Sequence, residues 1–185
     1  MSAKPTSRCP GCGLELPQHD GPTHPSMGAS PACWARYGQL LARECGPLGR
    51  PAVHRLTVDA YAVQHPGVPE RRTIQSVALH LIALHLVLDR AEPPQRVTTL
   101  LGGLLPRLPE LRWLIPPRPN GTRTVDDVLI ADRDGHADAV SAWARDVWRA
   151  WTPHHPVVVS WLDAATVGRG RPSWESFEGW VRRKH

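Results

Sequence analysis

Apolar side chains recur along this chain at helical spacing and nowhere alternate with a period of two, so the pattern predicts helices and no strand. Ser30 followed by Pro31 suits a helix start, and Trp34, Tyr37, Leu40 and Leu41 continue it to about Cys45, before Gly46-Pro47. A second helix is expected from about Pro51 to His65, closed by Pro66-Gly67. The third, Ile74 to Arg90 with Thr73 as its cap, is apolar nearly all round, which marks an element packed on several sides and places it at the centre.

Pro93-Pro94 opens a fourth helix through Leu105, and the prolines up to Pro119-Asn120-Gly121 predict an irregular connection. Thr124 then caps a short helix, Val125 to Asp132. After Gly135, Val140, Trp143, Val147 and Trp151 form a bulky core-facing stripe. Thr152-Pro153 separates that element from another, His154 to about Val167. Beyond the Gly168 to Pro172 linker, Ser173 is expected to cap a last short helix carrying Trp174, Phe177 and Val181 on one side. The fold class is therefore mainly α, a bundle of four or five helices at residues 30–167, with residues 1–29 an appendage and 168–185 a basic linker and short amphipathic helix.

Residues 1–29 hold almost no apolar periodicity and cannot bury a core unaided, so a metal is the obvious staple. Cys9-Pro10-Gly11-Cys12-Gly13 is a turn in which two sulfurs can meet one ion at about 2.3 Å each. A redox pair has the same spacing, but it follows a strand, and none is predicted before Cys9. Cys33, in the first turn of its helix, adds a thiolate that the helix N-terminus favours. For a fourth ligand, Cys45 is excluded because it lies about 18 Å along the helix axis from Cys33. Among His24, His19 and Asp20, His24 is preferred, since Thr23-His24-Pro25 is an extended turn between the cysteine groups. Cys9, Cys12, His24 and Cys33 thus make a closed structural Zn2+ knuckle, the donor set for which soft thiolates select.

The helical part is rich in histidine: His54, His65, His80, His85, His154 and His155. A second divalent metal could be assembled only between helices, from His65, His80 and His154, with Tyr61 or Asp59 as proton donor or support. That arrangement would make the protein a metal-dependent enzyme. The other reading is that these histidines are satisfied structural residues and that the body is an interaction or regulatory module with a protein partner.

The formal charge of +5 changes the picture little, because basic residues are scattered except in Arg182-Arg183-Lys184-His185. Nucleic-acid binding through that C-terminal helix is the weakest alternative. No apolar run suggests a signal peptide or a membrane span, so a cytoplasmic protein with no membrane partner is expected, with its cysteines reduced.

The segments Cys9-Pro10-Gly11-Cys12-Gly13, Gly28 to Trp34, Val53 to Gly67, Ser76 to Leu81 and the Trp-rich run into His154-His155 resemble an uncharacterised bacterial, mainly actinobacterial, domain-of-unknown-function family over residues 9–165. The resemblance implies that the knuckle, the Asp59-to-His65 segment and His80 belong to one protein type. It names no reaction, and the tail after Gly168 falls outside it.

Overall fold

A computed structural model of the protein describes residues 5–49 and 51–166, so the expected C-terminal helix and its basic run lie outside the described residues. Two strands, β1 (Thr6–Arg8) and β2 (Glu15–Pro17), form an antiparallel ribbon with the cysteine turn at its tip. Helices α1 (Pro31–Cys45), α2 (His54–Gln64), α3 (Arg71–Leu88), α4 (Pro94–Leu104), α5 (Val125–Leu129), α6 (His136–Ala150) and α7 (His155–Thr166) follow. The ribbon was not expected. Three-residue strands are too short to display an alternation, and their pairing (Ser7 opposite Leu16) is set by the turn between them.

Local signals place the starts of α1 and α5. The Ser30 hydroxyl accepts from the Cys33 amide at 3.2 Å with Pro31 next in line, so α1 begins where cap and proline coincide. Thr124 and Asp127 form a reciprocal capping box at the start of α5. The expected cap of α3 is corrected: the helix starts at Arg71 behind an extended Glu70, and Thr73 is buried inside it. Pro69 blocks helix before it, and nothing delays the start beyond Glu70.

Helix α3 packs on α2, α4, α6 and α7, which accounts for its apolar circumference. Helix α2 is held between α3 and α6, and α1 lies against α5. The stripe on α6 buries Val140, Trp143 and Val147 completely, with Trp151 just beyond the helix end. Each of these two indoles contributes roughly 4–6 kcal/mol of transfer free energy, and each retains a partner for its N–H. Trp143 Nε1 donates to Gln64 Oε1 at 3.0 Å and Trp151 Nε1 to Asn120 Oδ1 at 2.9 Å. Gln64 Nε2 in turn donates to the carbonyls of Asn120 and Arg123, and Asn120 Nδ2 to that of Val63. This network ties the irregular connection to the end of α2. No described helix is long and apolar enough to cross a membrane.

Two carboxylates are fully buried between helices. Glu44, near the end of α1, accepts from the Thr57 hydroxyl at 2.6 Å, His54 Nδ1 at 2.6 Å and His136 Nε2 at 2.8 Å, so one side chain bolts α1 to α2 and α6. Asp59, on α2, accepts from Arg55 Nε at 2.8 Å and His80 Nδ1 at 2.7 Å. Buried charge is tolerated where donors surround it in this way.

Candidate metal centre

The ribbon, the start of α1 and the end of α2 meet at one point. There the ligand atoms of Cys9, Cys12, Cys33 and His65 all lie within 4.8 Å of one another, three of the four residues being buried. Cys12 Sγ and Cys33 Sγ are 3.8 Å apart, and Cys33 Sγ and His65 Nε2 are 3.3 Å apart. A tetrahedron with metal–sulfur bonds of about 2.3 Å has sulfur–sulfur edges of about 3.8 Å, and sulfur–nitrogen edges of about 3.5 Å. The sulfurs are thus spaced as ligands and are far from the roughly 2.05 Å of a disulfide.

The fourth member is a correction to the sequence reading, since His65 converges with the cysteines and His24 does not. His24 Nδ1 accepts from the Ser26 amide at 3.2 Å, and its ring lies against Trp34. His65 is brought in by backbone pairing: Gly28 N donates to the His65 carbonyl at 3.0 Å, and Met27 and Pro66 form an antiparallel bridge. That pairing needs close approach, for a Cβ on Gly28 would come within 2.5 Å of the Pro66 oxygen. The imidazole is oriented as a ligand must be. Nδ1 donates to the Tyr61 carbonyl at 2.8 Å, which leaves the lone pair on Nε2 facing the sulfurs.

Surrounding donors temper the negative charge that three thiolates would bring. The Ser30 amide points at Cys9 Sγ (3.5 Å), and the Tyr61 hydroxyl at Cys33 Sγ (3.6 Å). Tyr61 is fully buried, stacked between Tyr37 and His65. Burial, and then the charge of Cys33, push its hydroxyl far above the usual range, so it remains a proton-bearing donor to sulfur.

Crowding also orders the loss of thiol protons. Hydrogen bonds from Cys12 and then Cys33 hold the Cys9 thiol far below its ordinary range, against the opposing effect of burial. Cys12 is pushed up to about 12: its contact with Cys33 lowers it, but the Cys9 thiolate and burial outweigh that. Cys33 is raised further, first by its contact with Cys12, then by Cys9 and by burial. Without a cation, each thiolate formed opposes the ionisation of the next. A divalent ion supplies the charge that allows all three to ionise.

Gly11 lies at the crux of this packing. A Cβ there would stand 2.5 Å from His65 Cδ2, 2.8 Å from the Gln64 carbonyl oxygen and 2.9 Å from that of Gly28. Two of these atoms are backbone and cannot yield cheaply. Gly11→Ala is expected to cost about 1–3 kcal/mol and to weaken metal retention; chelator competition compared with wild type measures the second effect.

The remaining expected site residues lie apart. Of His65, His80 and His154, the first sits with the cysteines, His80 is held by Asp59, and His154 Nε2 donates to the Ile115 carbonyl at 2.8 Å. The three histidines face three different partners, so the second metal site does not assemble among the described residues. Cys45 is exposed and takes no part in the cluster. Sequence spacing offered no direct signal for His65, which follows Cys33 only after a whole helix and a loop. The one trace is the Pro66-Gly67 that ends α2 beside it. At Gly67 a Cβ would approach the Ser26 oxygen to 2.7 Å.

Compared with protein families, residues 7–152 match the model of a family of unknown function, DUF5946. The chain belongs to DUF5946. The match takes in all four converging residues, the Glu44 and Asp59 carboxylates and most of the bundle. No curated protein and no solved structure matches this DUF5946 chain.

Proposed function

We propose that Cys9, Cys12, Cys33 and His65 hold one zinc ion as a closed structural centre, and that the helical body it staples is a cytoplasmic interaction or regulatory module. The observation that carries this reading is the convergence of four soft donors, with the His65 ring fixed through Tyr61 so that Nε2 faces the sulfurs. Four protein donors complete a tetrahedron and leave no position for water or substrate, which is the arrangement of structural rather than catalytic zinc. In this reading residues 1–29 form an appendage attached to the body at 30–167 through the ion. The ion supplies cohesion where that segment buries little else, chiefly Cys9 and Ala29 with the Ser30 cap beside them.

Metal analysis of the full chain purified without added metal tests it. One zinc per chain is expected. No metal, or iron with visible charge-transfer absorption, would overturn the reading. The Cys12 and Cys33 thiols are held above their ordinary range in the metal-free site, so zinc uptake should release protons and affinity should rise as pH rises through neutrality. Chelator competition at several pH values measures that slope; a flat profile would contradict the assignment of thiolate ligands.

A further inference from the structure

A groove of about 420 Å³ on the face made by α2, α3 and α4 is lined by Arg55, Arg72, Ser76, His80 and Thr98, with Leu101 among its apolar residues. This volume falls within the roughly 300–1,000 Å³ of small-molecule sites. Asp59 organises its polar side from beneath. The carboxylate is fully buried and takes Arg55 Nε on one oxygen and His80 Nδ1 on the other, while Arg55 Nη1 also reaches Thr98 Oγ1 at 3.4 Å. Because Nδ1 of His80 is turned inward to Asp59, Nε2 lies on the opposite edge of the ring, on a side chain that is 19% exposed. Arg72 is exposed and pairs with no carboxylate among the described residues. Asp59 offsets one arginine, which leaves a net positive groove.

We propose that this groove binds a phosphate monoester with an apolar body. The oxygens face the guanidinium groups of Arg72 and Arg55, one of them shares a hydrogen bond with His80 Nε2, and the apolar part lies toward Leu101. Two guanidinium groups and an imidazole edge offer more partners than the two oxygens of a carboxylate can use, and the three terminal oxygens of a phosphate monoester match them. The site is separate from the cysteine centre and does not depend on its metal. Burying Asp59 costs desolvation that apolar packing would avoid, and what the cost secures is a fixed orientation of Arg55 and His80 toward one surface.

The test titrates phenyl phosphate into the full chain and follows imidazole nitrogen resonances by NMR, with His80→Gln used to assign the His80 signal. A saturable shift of His80 Nε2 is expected, with His154 unmoved. Arg72→Ala should weaken binding at least about tenfold, and benzoate should bind at least about tenfold more weakly than phenyl phosphate. No His80 response up to the order of 10 mM ligand, an equal response at His154, indifference to Arg72→Ala, or benzoate binding as tightly would each overturn the proposal.

Discussion

Replacing Cys33 with alanine is expected to abolish zinc retention and to lower folding stability by about 5 kcal/mol, less than the roughly 10–16 kcal/mol of zinc-finger peptides because the helical body keeps its own core without metal. Cys33 is completely buried and stands where the ribbon, the start of α1 and the end of α2 meet. Its loss leaves Cys9, Cys12 and His65 facing one another without a complete donor set. The effect should be local before it is global: amides of residues 9–14 and 26–30 lose hydrogen-exchange protection, while those of α3 and α6 keep it. Cys45→Ala provides the control, since that thiol is exposed and outside the cluster, and it should retain one zinc and full stability. A Cys33→Ala protein that still carries a full equivalent of zinc would refute the proposed centre.

Glu44→Ala should cost about 3–5 kcal/mol, because it strips one acceptor from three buried or half-buried donors at once. Thr57, His54 and His136 all converge on this carboxylate, and His136 is 2% exposed, so water cannot replace the lost partner freely. Zinc content should be unchanged, since Glu44 lies about 16 Å along α1 from Cys33. Chemical denaturation together with metal analysis separates the two variants: one loses metal and stability together, the other stability alone. A Glu44→Ala protein within about 1 kcal/mol of wild type would mean that the three donors find other partners.

Much of the fold was legible before any coordinates. The start of α1 is written in Ser30 and Pro31, the short α5 in its Thr124 cap, and the α6 stripe in the spacing of Val140, Trp143 and Val147. The central place of α3 followed from its apolar circumference. The ribbon β1–β2 was not legible, because each strand is three residues long and offers no period to detect. Thr73 misled as a cap because the helix already starts behind Pro69 and Glu70, and tertiary burial overrides its preference for a helix end.

The histidines divide most clearly between the two kinds of information. From the residues alone one could pick out the turn of Cys9 and Cys12 and the thiol at the head of α1, because those signals are local: a tight turn, a cap, a free helix end. That His65 joins them, that His80 instead faces Asp59 and that His136 reaches Glu44 depend on which surfaces pack together. Convergence of donors far apart in the chain is fixed by the placement of whole helices, and residue spacing carries no record of it.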